Sequence, residues 1–331
     1  MDSSNSLDKI TDTITDVISG VPTPIRKNFF KAFGQLCTAA VDVPVSWLEG
    51  KASVIRATYD ARVQIIKKEG EKISENLDIP KQYIDKASEK FASKIIKEQI
   101  NLDEITRNAA ENLGNQKYSD QATVDAEIGD DWLNEFESYA RLKSSEEMKI
   151  IFGKILSGEI TKPGSFSIRT IRLISQLDNQ AAKLFQILCS NAISLNLGNR
   201  IFDARVVSLT GNAASNSLSK YGLSFDNLNI LQEYGLIISD YNSYMPYNPC
   251  IANEQNQIAA GLRFGNKDYG LIPTDKTKYD KILKLNGVAL TKAAKELLNI
   301  IPLKDSEEYK KDLTEFFSKK HLRLMEVGYK I

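Results

Sequence analysis

Apolar residues before Ser194 recur every three or four positions, the period that builds one face of a helix. Leu7, Ile10, Ile14, Val17 and Ile18 set the first stripe. The run Gly20-Val21-Pro22-Thr23-Pro24 stops it, because proline supplies no amide and restricts the residue before it. A second helix is predicted from about Ile25 to Leu48, with Gly50 beyond it. A long charged helix follows from Lys51 to about Glu75, its mixed charges marking a solvated side. Pro80 suits the first turn of the next helix and Asp78 its cap. That helix presents Tyr83, Ile84, Ala87, Phe91 and Ile95, and the period continues through Ile105, Ala109 and Leu113 to Gly114.

The middle of the chain is the most strongly patterned. Asp130-Asp131-Trp132-Leu133 opens a helix with acids where the helix dipole favours them, and Trp132, Phe136 and Tyr139 share a face. Ser144 and Glu147 read as a capping box, and Gly158 as the left-handed end of the helix they begin. Pro163 to Ser167 forms a turn into a helix reaching Leu177, and Asp178 caps another reaching about Ser194. After Ile201 the period shortens. Arg205 to Leu209 is strand-like, and Ser224 caps a short helix bearing Leu228, Leu231 and Tyr234. Leu236-Ile237-Ile238 and Tyr244 to Tyr247 read as a strand pair, with more short strands between Ile258 and Leu285. Thr291 caps a helix to Ile300, Asp305 to Lys319 is helical, and Leu322 to Val327 is a closing strand.

These elements predict a mainly α fold with a smaller α+β part: a helical N-terminal half followed by a winged-helix-like C-terminal region. The expected divisions are an amphipathic helical region over 1–118, a helical module over 119–195 and the winged-helix-like region over 196–331.

Charge and cysteine usage narrow the chemistry. Lys+Arg and Asp+Glu are equal at 43 each, so no chain-wide basic excess points to nucleic acid. Cys37, Cys189 and Cys250 are far apart and odd in number, with no paired spacing, which argues against a disulfide framework and a zinc site, and His321 is the single histidine. No metal and no cofactor is expected. Met1 to Asp16 lacks the basic and apolar segments of a signal peptide, and no stretch reaches the roughly 18 apolar residues of a spanning helix. A cytoplasmic location is therefore expected.

Four groups of residues could carry function. In the Pro163–Arg172 turn, Gly164, Ser165 and Ser167 precede a helix start and Arg169 and Arg172 add positive charge, which suits an anion site. Helix capping explains the same serines and glycine without a ligand, and is the favoured reading. The carboxylates Asp130, Asp131, Glu135, Glu146, Glu147 and Glu159 could bind a cation or act as an acid-base pair, but most fit first-turn dipole positions. The winged-helix-like unit could read DNA, yet its second helix carries Asp226, Asn227, Asn229, Gln232 and Glu233 and no Lys or Arg. Phosphate contacts supply much of such affinity, so a nucleic-acid partner is not favoured. Residues 1–50 could touch a membrane surface, although Arg26 and Lys27 are their only adjacent basic pair.

Several motifs resemble one uncharacterised bacterial family, catalogued as domain of unknown function 2806. They are Glu98 to Ile105, Asp131-Trp132 with Phe136, Ser144 to Met148, Ile155 to Glu159 and, most distinctively, Pro163 to Thr170. Looser similarity extends to Gly287-Val288-Ala289-Leu290-Thr291. The chain departs from the pattern at Phe152-Gly153-Lys154, where a Trp-Ala-Arg type sequence is common. The resemblance makes Asp131, Trp132, Phe136, Glu147, Gly158, Glu159 and Pro163 a structural signature and carries over no activity. Similar Pro-Gly helical modules in proteins of abortive infection imply a bacterial anti-phage component, acting through a partner or the membrane surface, as one alternative. The leading expectation is a non-enzymatic interaction or scaffold protein with a protein partner or homo-oligomeric state, because no catalytic constellation outlasts the structural explanations.

Overall fold

A computed structural model describes residues 17–37, 81–118, 126–198, 200–211 and 215–327. The predicted helix over Lys51–Glu75, the Asp78 cap and most of the Leu7–Ile18 stripe lie outside the described residues. The chain divides into two compact units, Met1–Ile171 and Arg172–Ile331.

The described part of the first unit is helical. It contains α1 (Thr23–Leu36), α2 (Lys81–Gly114), α3 (Asp130–Ala140), α4 (Glu146–Thr161) and the start of α5 (Ile168–Gln176). Each amphipathic stripe closes on the same core, formed by Phe29 and Phe33 of α1, Ile105 and Ala109 of α2, Phe136 of α3, and Phe152 and Ile155 of α4. Burying each of the phenylalanine and isoleucine side chains contributes about 1.5–3 kcal/mol. Gly153 explains why α4 can lie so close to α2, since a Cβ there would stand 2.6 Å from Asn108 Cβ. The buried Asn28 ties α1 to the rest. Its Nδ2 donates to Ala126 O at 2.9 Å and Ile160 O at 3.2 Å, and its Oδ1 accepts from the Ile128 amide at 3.1 Å.

Two local expectations are corrected here. The cap of α4 is Ser145, whose hydroxyl accepts from the Met148 amide, and Glu146 begins the helix. The cap therefore falls one residue later than Ser144, and Met148, not Glu147, stands at the position a capping box requires. Gly158 lies inside α4, which runs on to Thr161. Its missing side chain instead leaves room for Phe166, whose ring carbon Cε2 would meet a Cβ at 2.6 Å.

The second unit holds α6 (Asn179–Asn191), β1 (Ile193–Leu197), β2 (Arg200–Val207), α7 (Phe225–Glu233), β3 (Tyr244–Pro246), β4 (Gly261–Phe264), β5 (Lys267–Pro273), β6 (Lys284–Ala289), α8 (Lys292–Leu298), α9 (Glu307–Lys319) and β7 (Leu322–Glu326). Asp178, Ser224 and Thr291 cap α6, α7 and α8 by accepting the amides of Ala181, Asn227 and Ala294. The seven strands form one sheet in the order β3-β6-β2-β1-β4-β5-β7, every pair antiparallel. Tyr309 of α9 is buried, and its hydroxyl accepts the Val207 amide at 2.8 Å and donates to Val207 O at 3.1 Å.

This sheet overturns the mainly α, winged-helix reading of the C-terminal region. A wing requires Leu236–Ile238 to pair with the Tyr244 segment. Instead β3 pairs with β6, placing Tyr244 opposite Asn286, while Ile237 forms a bridge with Leu290 just beyond β6. Both supposed wing strands therefore lie along one later segment. The residues expected to end a helix near Ser194 begin β1, a central strand with Ile193 and Leu195 buried.

Candidate functional site

The turn between α4 and α5 is built around a buried carboxylate. Glu159 is 3% exposed and lies in the last turns of α4. Its Oε1 accepts the Gly164 amide at 2.6 Å and its Oε2 accepts the Phe166 amide at 2.9 Å. Charge-assisted bonds of this kind are short and strong, and here they hold the turn to the end of α4. Gly164 takes φ of +86°, a conformation that glycine adopts without penalty. Ser165 Oγ donates to Lys162 O at 2.6 Å, and Ser167 Oγ lies 3.0 Å from Thr170 Oγ1.

The signature residues converge on this turn through Phe166. Trp132 of α3 donates from Nε1 to Phe166 O at 2.7 Å. The Trp132 ring stacks on Phe136 at 5.0 Å, and Phe136 meets Phe152 at 5.6 Å. Gly158 accepts the Phe166 ring against its backbone. Trp132, Gly158 and Glu159 thus act on one loop, with Pro163 and Gly164 inside it, and Phe136 backs Trp132. Asp131, Glu147, Arg169 and Arg172 are exposed.

The acids considered together in the sequence are dispersed. Asp130 pairs with Lys31 at 2.6 Å, Glu146 with Lys149 at 3.0 Å, and Glu159 faces the turn. Among the described residues, no group of three or more His, Cys, Asp or Glu side chains could hold a metal ion. All three cysteines are buried. Burial pushes the Cys250 thiol up to about 12 and raises Cys189 and Cys37 as well, so they are protonated at neutral pH and poor nucleophiles. Helix α7 buries Leu228 and Leu231 and presents no basic residue.

Sequence reasoning missed a buried ion pair on β2. Asp203 and Arg205 of β2 are 6% and 2% exposed. Arg205 Nε and Nη2 donate to the two Asp203 oxygens at 2.6 and 3.0 Å, and Nη1 donates to Ser243 O at 2.8 Å and Leu285 O at 2.9 Å. The Tyr247 hydroxyl donates to Asp203 Oδ2 at 2.9 Å. Burial, and then Asp203, hold the Tyr247 pKa well above its ordinary value. Opposite charges two residues apart on one strand share a face, which is the signal that could have found them. The cluster joins β2 to β3 and β6 and leaves its charges no free face toward a ligand.

A further cavity of about 250 Å³ lies beside α6, β1 and the β4–β5 hairpin, lined in part by Cys189, Ser194, Arg263, Asn266 and Asn299. Its guanidinium is already occupied, since Arg263 Nε and Nη2 reach the Asp268 oxygens at 2.9 and 3.1 Å.

Replacing Glu159 by alanine is expected to leave the Gly164 and Phe166 amides without their acceptor at a site where Phe166 is buried. The expected loss is about 1–4 kcal/mol, about 1–3 kcal/mol for the buried Phe166 amide and less for that of the exposed Gly164, which water can reach. Urea unfolding of this variant checks the value, and a loss below about 0.5 kcal/mol would show that the clasp contributes little.

No curated protein and no solved structure matches the chain. A family model described as "Protein of unknown function (DUF2806)" matches residues 85–314, which takes in the Glu159 turn and reaches into α9. With more than two-thirds of its length so matched, the chain belongs to that family.

Proposed function

We propose that the chain is a non-enzymatic protein-interaction or scaffold protein. The observation that carries this reading is the exposure of large apolar side chains on the strand-bearing unit. Leu197 and Phe202, 46% and 50% exposed, stand on the two strands of the β1–β2 hairpin close to its turn. Ile238 is 45% exposed beside the sheet. Exposed large apolar side chains are a cost to an isolated surface and a gain to one that becomes covered. The interior polar clusters support the same reading, because Glu159, Asp203 and Arg205 are bonded to their own chain.

The test is light scattering after gel filtration of the full chain, followed by cross-linking and capture from the native host. The expected outcome is a homo-oligomer or a stoichiometric partner, weakened about tenfold or more by Phe202→Asp, the loss typical of a buried interface residue. A monomer that captures no partner and hydrolyses a nucleotide or nucleic acid would overturn the reading.

A further inference from the structure

The connection from β5 to β6 and the bend from α9 into β7 meet at one end of the sheet. The Thr274 amide donates to His321 O at 2.9 Å, and the strand register sets Ile272 opposite Arg323 and Pro273 opposite Leu322. The connection carries Lys276, Lys278 and Lys281 and leads to Lys284 at the start of β6, and the second segment carries Lys319, Lys320 and Arg323. Three acids offset these seven bases. Asp275 pairs with Lys278 at 3.3 Å, Glu315 pairs with Lys319 at 2.8 Å, and Asp280 lies in the loop. The excess is local, because the chain as a whole carries equal numbers of basic and acidic residues.

Apolar groups stand among these charges. Ile282 is 66% exposed between Lys281 and Lys284. The Lys284 ammonium lies 4.6 Å from the centre of the Tyr244 ring, and Tyr244 is 54% exposed. A nucleic-acid strand would reward the lysines and Tyr244 but gain nothing from an aliphatic side chain held out into water. A bilayer interface rewards all three. Lipid phosphates attract the ammonium groups, the tyrosine suits the headgroup level, and the isoleucine enters the acyl boundary.

We propose that this end of the sheet docks on an anionic phospholipid bilayer, with Ile282 inserted and Lys276, Lys281, Lys284, Lys320 and Arg323 on lipid phosphates. The contact is peripheral and electrostatically assisted, and it is separate from the exposed β1–β2 hairpin. Anchoring by one inserted side chain and several charges is reversible, so salt should release it.

Sedimentation of the full chain with vesicles tests the proposal. Binding is expected to vesicles of phosphatidylcholine containing phosphatidylserine, and not to phosphatidylcholine alone. It should be lost at about 1 M salt, where screening acts within about 3 Å. The double variant Lys276→Glu/Lys281→Glu should bind more weakly by a factor of about thirty or more, and Ile282→Ser about tenfold more weakly at low salt. Lys183→Glu, an exposed change on α6, should bind as the parent does. Melting temperatures of all variants check that each remains folded. Failure to bind anionic vesicles, equal binding to neutral ones, or unchanged binding by the double variant would overturn the proposal. So would a single-stranded oligonucleotide bound through the lysines with an affinity that Ile282→Ser leaves unchanged.

Discussion

Gly287→Ala is expected to destabilise the strand-bearing unit by on the order of 4 kcal/mol, or to prevent its folding. Residue 287 is in β6, where the register sets it opposite Val207. A Cβ on Gly287 would fall 2.1 Å from Val206 O and 2.9 Å from Val207 Cα. Those atoms are backbone in a central strand, so no rotamer change can relieve the overlap. The two strands would have to part, taking with them the bonds that β6 makes to β2 and β3. Gly261→Ala is the control. That glycine is also in a strand, but nothing lies within 4 Å of its Cβ position, and the change should stay within about 0.5–1 kcal/mol. Thermal and urea unfolding of both variants gives the comparison. Similar stability for the two would mean that β6 can move away from β2 at little cost.

Arg205→Leu is expected to cost about 3–5 kcal/mol, the usual loss when one member of a buried ion pair is removed. Asp203 would keep only the Tyr247 hydroxyl among the donors described above, and the carbonyls of Ser243 and Leu285 would lose the guanidinium. Removing both charges, in Asp203→Leu/Arg205→Leu, should cost less than the two single changes added together. The difference should be about 1–3 kcal/mol, because the double variant strands no buried charge. Urea unfolding of the four proteins completes the cycle. Strict additivity would show that the pair is not coupled and would remove its role as the tie between β2, β3 and β6.

Much of the helical part was written locally. Asp178, Ser224 and Thr291 cap their helices because an Asp, Ser or Thr side chain can reach an amide three residues on, a property of the nearby chain alone. Ile105, Ala109 and Leu113 are buried as their spacing requires. The Ser144 cap failed by one position, since two adjacent serines can each serve and only the backbone path selects Ser145. Gly158 failed for a different reason. A glycine after a helical stripe resembles a terminus, but here an aromatic ring from eight residues later occupies the space beside it. The resemblance grouped Trp132, Phe136, Gly158, Glu159 and Pro163 without a reason. The structure supplies one, because Trp132, Gly158 and Glu159 pack on or bond to the loop that contains Pro163, and Phe136 stacks on Trp132.

The sequence by itself determined where most helices begin, which faces they bury, and that short strands follow Ile201. Capping and amphipathic period act within a few residues, so they can be read along the chain. Only the tertiary structure decided how those strands pair. Leu236–Ile238 and Tyr244–Pro246 are near neighbours in sequence and look like a hairpin, yet both lie along residues 284–290, much later in the chain. Their partner is chosen by the buried ties of Arg205 to Ser243 and Leu285 and by the close approach of Gly287 to Val206. Those are long-range interactions, and they carry no periodic signal. The same reason hid the basic end of the sheet, whose two lysine-bearing segments become neighbours only when β5 and β7 pair.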